Sequence, residues 1–525
     1  MTDAGTVPSF GDRAPAGTWM AVIGATIGTF MAIINIQIVN ASLADIRSAL
    51  GAGANEGGWI ITAYMVAEII VIPLCGWLAR VFSVRRYMIA NVVLFLVFSA
   101  ACAQARTLDQ MVVLRMLQGM SGGVLIPMTF TLVITLLPPS RHPTGFAMFA
   151  FAATFAPAIG PTLGGWLSDN WGWQYVFYVN FLPGAVMLAM LAATLQRQPL
   201  QLGLLRQGDW AGIAAMAIGL GALQILLEEG NRIGWFDSPL VLRLALVAGL
   251  ALGLFVWIEL RTAHPLVNLR LLGRRNFGLG VLALFLVGGV LYGSSYMLPV
   301  YLSRVQGYSA EQIGEVMAWT GIPQLLLIPF LPWLMRSLDT RWLVATGLAL
   351  FAGSIFLLAG LTGRTGGEQL LLPDVLRALG VALLLTPLTA LTVSGLSPTD
   401  AGTASGLVNA LRNLGGAIGV ASLQTFLERR EQFHFSIITE RVSLFDEVTR
   451  ERLAAGAQLF ERSGVVDRLQ AWRAAVAEVG DNLRREAYVM AVDDVYLVLG
   501  LTLVVALSAA SLLRRPVTPA SSAVE

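Results

Sequence analysis

The chain has 525 residues, 56% hydrophobic and only 13% charged, with a mean hydropathy of +0.71 and a formal net charge of +2. Soluble domains carry about 25% charged residues, so a soluble globular protein is excluded and a polytopic membrane protein is indicated. A charge this close to neutral offers no electrostatic footprint for nucleic acid, and no nucleic-acid partner is expected.

Apolar runs of about 20 residues, each long enough to cross a hydrocarbon core of about 30 Å, recur along the chain. A barrel would show alternating strands of about ten residues instead, so the spans are helical. Charges, prolines and glycines delimit fourteen predicted spans, at 19–42, 57–79, 87–104, 109–132, 143–167, 174–195, 210–228, 240–260, 277–301, 311–335, 342–361, 371–395, 402–427 and 490–513. An even number puts both termini on one side. The chain has no lysine; fifteen arginines, among them Arg80, Arg85, Arg86, Arg141, Arg274 and Arg275, fall on that side, and five lie in the short loops opposite. The positive-inside rule therefore makes both termini cytoplasmic. The apolar stretch after Trp19 is too long for a signal peptide and reads as the first retained span.

Two features interrupt this rhythm. Span five contains Ala156-Pro157-Ala158-Ile159-Gly160-Pro161-Thr162-Leu163-Gly164-Gly165-Trp166, a cluster of helix breakers costing roughly 1 kcal/mol per Gly and 3 per Pro in a soluble helix. Small residues permit close helix approach and the prolines bend the rod; the bent span is expected to pack against a helix of the opposite half. Residues 428–489 carry ten arginines and eleven acidic residues, with apolar residues at helical spacing such as Val465, Leu469, Trp472 and Val476. This segment is expected to form soluble helices outside the membrane, as a solvated connector or a docking surface.

An internal repeat is legible. Ile72-Pro73-Leu74-Cys75-Gly76-Trp77-Leu78-Ala79-Arg80 closes span two, and Ile328-Pro329-Phe330-Leu331-Pro332-Trp333-Leu334-Met335-Arg336 closes span ten, with five of nine positions shared. At a similar offset Ala158-Ile159-Gly160 echoes Ala417-Ile418-Gly419. A parallel repeat of six helices with two helices inserted between the halves follows, an architecture associated with alternating access. The expected divisions are a cytoplasmic tail 1–18, a first six-helix half 19–200, an inserted two-helix linker 201–275, a second half 276–515 containing the loop 428–489, and a cytoplasmic tail 516–525.

Charge inside a bilayer costs at least about 2.5–3.5 kcal/mol and marks candidate function. Glu68 lies mid-span with no basic residue near it in sequence; it reads either as a site for a proton or cationic substrate or as a neutral packing group. Arg115 and Arg412 lie in spans four and thirteen, the latter with Asn409 on the same face. Asp374 and Arg377, at i,i+3 in span twelve, are expected to neutralise one another. Glu228, Glu229 and Glu259 fall at the ends of the inserted spans and read as interfacial. Tyr64, Phe151, Phe155, Met297, Tyr301 and Trp319 are candidates for an apolar cavity. Cys75 and Cys102 read as buried apolar groups rather than a disulfide. Three scattered histidines make no metal site, a phosphate-binding loop is impossible without lysine, and no nucleophile-base constellation is present, so no cofactor and no enzymatic activity are expected.

The chain resembles the major facilitator superfamily, and within it the fourteen-spanning drug:proton antiporters of the EmrB/QacA type. The resemblance rests on Gly160-Pro161-x-x-Gly164-Gly165; Arg115-Met116-Leu117-Gln118-Gly119; Gly76-Trp77-Leu78-Ala79-Arg80 with Arg85 and Arg86; Trp171-Gly172-Trp173-Gln174 leading to Asn180 and Pro183; His264-Pro265-Leu266-Val267-Asn268-Leu269-Arg270; and Ala404-Ser405-Gly406-Leu407 followed by Arg412. It implies a multi-pass inner-membrane exporter of hydrophobic or amphipathic small molecules, driven by the proton gradient. Glu68 and Arg115 would serve the proton, and Gly160, Pro161, Gly164 and Gly165 would form the antiporter motif. Asn35, Gln37, Tyr64, Gln118, Phe155, Trp319, Asn409 and Arg412 would line the substrate cavity, and Gly76, Arg80, Arg85 and Arg86 the gating loop. Membrane lipids are expected partners, as are a periplasmic adaptor and an outer-membrane channel in a two-membrane host. A dedicated exporter of one endogenous metabolite, such as a siderophore, antibiotic precursor or lipid, and a non-transporting sensor or scaffold are the alternatives. Two departures stand out: Asn35 where relatives usually carry Asp, and Arg80 and Ser83 where the superfamily pattern has Asp and Gly.

Overall fold

The computed structural model describes residues 15–53, 56–206, 208–262, 265, 267–396, 401–442, 446–462 and 467–514, and every regular element among them is helical. In chain order the long helices are α1 (Ala16–Ala41), α2 (Trp59–Phe82), α3 (Val84–Ala103), α4 (Leu108–Leu136), α5 (His142–Trp171), α6 (Tyr175–Thr194), α7 (Trp210–Glu229) and α8 (Pro239–Arg261). They continue with α9 (Arg275–Gln306), α10 (Gln312–Ser337), α11 (Thr340–Leu358), α12 (Gly367–Val393), α13 (Ala401–Arg441), α14 (Glu447–Arg462) and α15 (Arg468–Ser511). Twelve described helices are long and apolar enough to cross a membrane, thirteen when the two bent segments of α5 count as one span. The expectation of fourteen requires α13 as well, whose membrane part carries Asn409, Arg412 and Asn413. The tail 516–525, most of the tail 1–18, and His264 and Leu266 of the quoted motif lie outside the described residues.

The sequence repeat has a local structural cause. Both Ile72–Leu74 in α2 and Ile328–Phe330 in α10 are single 3₁₀ turns between α-helical segments. Each turn holds a proline, which cannot donate the next helical hydrogen bond. The helices around them pack in matching pairs, α5 on α1 and α13 on α9.

Helix α5 bends by 44° between His142–Pro157 and Ile159–Trp171. The span meets the opposite half as expected, through Ala147 and Thr162, but its glycine face does not. A Cβ on Gly164 would lie 2.7 Å from the Ile38 carbonyl oxygen and 3.1 Å from the Ala41 Cβ, and one on Gly160 would clash with Gln37. The glycines therefore seat α5 on α1 of its own half, while Gly165 faces open space and Pro161 is exposed. Gly419 repeats the device: its Cβ would fall 2.6 Å from the Gly289 Cα of α9. Small residues are used where backbones must touch, and that demand is greatest within each bundle.

The halves meet along other surfaces. Arg336 donates to the Ser140 carbonyl at 2.9 Å, Ala147 packs with Ile328 and Leu331, and Gly406 of α13 approaches the Ile72 carbonyl at the break in α2. Thr162 of α5 faces Gly314 of α10. The inserted helices are tied to both halves: Trp77 of α2 meets Trp210 of α7 edge-on at 5.7 Å, and Thr62 of α2 donates to Glu229 at 3.4 Å. Just beyond α7, Trp235 donates to Thr425 of α13 at 2.6 Å and Asn231 to Glu428 at 2.9 Å. Glu229 and Glu259 are buried rather than interfacial; Glu229 pairs with Arg232 and Glu259 accepts the Val267 amide. Cys75 and Cys102 are free and buried.

The polar segment is helical, and its helices are not separate from the spans. Helices α13 and α15 run on past their apolar parts and form a hairpin with α14. Leu453, Ala457, Ala471 and Ala475 make its core, with Phe460 and Val479 against them. Leu469, Trp472 and Val476, read from sequence as an apolar stripe, point outward and are 57%, 36% and 44% exposed; Val465 lies outside the described residues. At the hairpin base, Asp494 of α15 accepts from Arg430 at 2.6 Å and lies 2.7 Å from the His434 ring nitrogen of α13.

Between α2 and α3 the chain turns through Ser83, a residue with φ +68° and ψ 137°, buried, and with no partner for its hydroxyl. This is the position where the superfamily pattern has Gly. An L-residue held there stores about 1–3 kcal/mol of strain. Ser83→Gly is therefore expected to raise the thermal midpoint of the purified protein by about 1 kcal/mol of stability; an unchanged or lower midpoint contradicts the strain argument.

Candidate functional site

A buried polar network fills the first bundle. The Arg115 guanidinium, at 1% exposure, donates to the Asn35 Oδ1 at 2.8 Å, the Gln118 Oε1 at 2.6 Å and the Ile60 carbonyl at 3.2 Å. It stacks over the Tyr64 ring at 4.3 Å. Gln118 passes the chain on to Ser99 at 2.7 Å. Four helices, α1 to α4, thus converge on one charge through neutral acceptors. Gly119, one turn after Arg115, lets α4 approach the Tyr64 backbone at a distance no side chain would allow. Asn35, Tyr64 and Gln118 sit in this network, which takes Tyr64 away from the other aromatic candidates for a cavity.

Glu68 lies on the same helix as Tyr64, one turn before the 3₁₀ break. It is 7% exposed and its carboxyl has no hydrogen-bond partner among the described residues. Its Cα and Cγ lie against Gly123 of α4, and it is within electrostatic reach of Arg115 on one side and of Tyr292 of α9 on the other. The carboxyl therefore stands between the Arg115 network and the second half. Tyr292, absent from the sequence reading, is also within reach of Arg412; an uncharged tyrosine gives no signal until the fold shows what it faces.

Across the interface, Phe146, Phe149, Ala150 and Ala153 of α5, Leu385, Thr386 and Thr389 of α12, and Arg412 of α13 line a small cavity of about 20 Å³. Arg412 stands over the Phe149 ring at 5.8 Å and donates to Asn409 at 3.2 Å. Drug-sized ligands occupy roughly 300–1,000 Å³, so in this conformation the space holds about one water and would have to open to admit a substrate. Phe30, Phe155 and Phe151 stack in series along α1 and α5, at 6.2 and 5.3 Å. Gln37 abuts Gly160, and Trp319 is 44% exposed on α10. Met297 and Tyr301 are fully buried in the second bundle, where the Tyr301 hydroxyl donates to the Thr362 carbonyl at 2.8 Å.

Of the loop residues, Arg85 donates to the Ala192 carbonyl of α6 at 2.7 Å. Gly76 is half-buried, whereas Arg80 and Arg86 are exposed and form no ion pair among the described residues. Asp374 and Arg377, expected to neutralise one another, do not pair: Arg377 donates to Ser295 of α9 at 2.6 Å, and both Asp374 oxygens are buried without a partner.

The Major Facilitator Superfamily family model matches residues 25–420. The chain is 34% identical to the colistin resistance protein EmrB of Acinetobacter baumannii, over 84% of this chain and 86% of that protein. It is 32% identical to the multidrug export protein EmrB of Escherichia coli K12, over 81% and 83%. Among solved structures, the proton:xylose symporter XylE aligns with a TM-score of 0.56 at 13% identity, covering 93% of this chain and 95% of that one, a likeness of fold. A multi-pass helical membrane protein with these matches belongs to the major facilitator superfamily and, within it, to the EmrB/QacA-type drug efflux transporters.

Proposed function

We propose that this chain is an inner-membrane antiporter with fourteen spans and cytoplasmic termini, exporting hydrophobic or amphipathic small molecules against an inward flow of protons. The names of its relatives, a multidrug export protein and a colistin resistance protein, support the substrate class. The observation that carries the mechanism is the unpartnered Glu68 carboxyl, buried between the Arg115 network and the second half.

Alternating access requires that proton and substrate each bind one facing better than the other. Glu68 meets that requirement through its neighbours. Protonated, it is a neutral group that can sit in apolar surroundings; ionised, it must find water or a cation. Arg115 is held by neutral acceptors and carries its charge permanently, so it favours the ionised form from within the bundle. Movement of α2 at its 3₁₀ break, against Gly406 of α13, alters which of these surroundings the carboxyl meets. Asn35 takes no part in proton exchange, because an amide does not titrate in the physiological range. Its role is to accept from Arg115 and keep the guanidinium turned inward.

The outward-facing stripe Leu469, Trp472 and Val476 on the hairpin supports a docking role for a periplasmic adaptor, which would deliver substrate to an outer-membrane channel. Apolar residues rimmed by charge on a helical projection are the usual make-up of such contacts.

Glu68→Gln is expected to abolish uphill efflux of a lipophilic cationic dye from proteoliposomes under an imposed proton gradient; unaltered proton-driven efflux refutes the assigned role. Asn35→Asp would place a second carboxylate against Arg115 and is expected to raise the number of protons moved per dye molecule; an unchanged ratio means the Asn35 position is uncoupled. The triple change of Leu469, Trp472 and Val476 to Ser should leave dye efflux in proteoliposomes intact and cut co-purification with a periplasmic adaptor by about tenfold or more, roughly 1.4 kcal/mol. Undiminished co-purification rejects the docking surface.

A further inference from the structure

The second bundle repeats the arginine of the first, with one difference. Arg115 of α4 reaches α1 at Asn35; Arg377 of α12 reaches α9 at Ser295, with the same order of helices in each half. In the first bundle the neighbours of the arginine are amides. In the second, Asp374 lies one turn before Arg377 on the same face. Asp374 is fully buried, about 10 Å along α12 from its first residue, and neither carboxyl oxygen has a hydrogen-bond partner.

We propose that Asp374 is a second proton-binding site, located in the C-terminal half, and that Arg377 reports its charge by switching between Ser295 and the Asp374 carboxylate. An ionised carboxylate without a donor is among the most costly groups to hold in a membrane interior. The arrangement described here therefore holds the neutral acid. Loss of the proton to water, as the cavity opens to one side, leaves a carboxylate beside two idle donors. One is the Arg377 Nη1, which has no partner, and the other is the Tyr496 hydroxyl of α15, also buried and unpartnered. Turning Arg377 onto the carboxylate releases Ser295 and with it the α12 to α9 bond. Uptake of one proton reverses the exchange. Proton binding in this half is thereby joined to a contact between helices rather than to an isolated charge.

The surroundings contain few competing groups. Tyr496 is within electrostatic reach of both Asp374 and Arg377, with Tyr488 of α15 and Tyr301 of α9 behind it. Helix α11, packed along α12, has no ionisable side chain from Leu343 to Leu358. Asp374 and Arg377 are thus the acid and base at the centre of this cluster; behind its tyrosines stand Asp493 and Arg485, which act on Tyr301, and Arg304 and Glu431, which act on Tyr488.

The proposal rests on the proton-driven reading above, and its test reads proton binding without transport. Infrared difference spectra of the full chain in lipid, titrated with pH, are expected to show a protonated-carboxyl band that Asp374→Asn removes and Glu68→Gln retains. Ser295→Ala deprives Arg377 of the closer of its two acceptors, leaving the Leu291 carbonyl at 3.5 Å, so Asp374 in that variant should need about tenfold more protons to titrate. A spectrum unchanged by Asp374→Asn, or an unmoved titration in Ser295→Ala, overturns the site. The Ser295→Ala result stands alone should Asp374→Asn fail to fold. A band lost in Asp374→Asn supports the site even where the wild type shows no uphill efflux, so the two readings fail separately.

Discussion

A permanent positive charge cannot be left bare inside a bilayer, and much of the first bundle is organised around meeting that condition at Arg115. Four helices contribute to the solution: a carbonyl from α2, amides from α1 and α4, a hydroxyl behind them on α3, and an aromatic face from α2. Because every acceptor is neutral, the charge is solvated but not cancelled. It continues to act on what stands nearby, and the group that stands nearby at the edge of the bundle is Glu68. Removing an acceptor here leaves a buried donor unpaired, which costs about 1–3 kcal/mol and more for a charged group. The network is therefore rigid, and Glu68, which has no partner, is the part free to change.

The same tension between packing and freedom runs through the helices. Glycines seat α5 on α1 and α13 on α9, fixing each bundle internally. The 3₁₀ breaks in α2 and α10 and the bend at Pro157 lie at or beside the surfaces where the halves meet. Motion in such a protein is confined to a few joints because the rest is close-packed and transmits displacement rather than absorbing it. The inserted helices α7 and α8 sit astride this division, bonded to α2 through Glu229 and to α13 through Asn231 and Trp235.

Composition alone settled the membrane class, because hydrophobicity on this scale admits few other structures. The spans were legible for the same reason, and the repeat was visible because proline leaves the same mark on sequence and on backbone. Contacts were less accessible. The glycine spacing of α5 marked a close-packing face, and the span does meet the opposite half; that the glycines themselves serve α1 was not legible, since spacing along one helix does not specify which neighbour each face touches. Asp374 and Arg377 looked like a pair because i,i+3 spacing puts them together; Ser295, distant in sequence, competes for the guanidinium. Leu469, Trp472 and Val476 had the periodicity of a core, yet the smaller Ala471 and Ala475 let α14 and α15 come closer and took that place.

Helix α13 is continuous from the interface with α2 to the outer hairpin, 41 residues in one piece and about 60 Å long. Its inner end lies against the break beside Glu68, and its outer end carries the hairpin clamped to α15 by Asp494. A rod of that length is a lever. A tilt of about 10° at the inner end would displace the tip by about 10 Å, so the hairpin is placed to amplify whatever movement the break beside Glu68 undergoes in the proposed cycle.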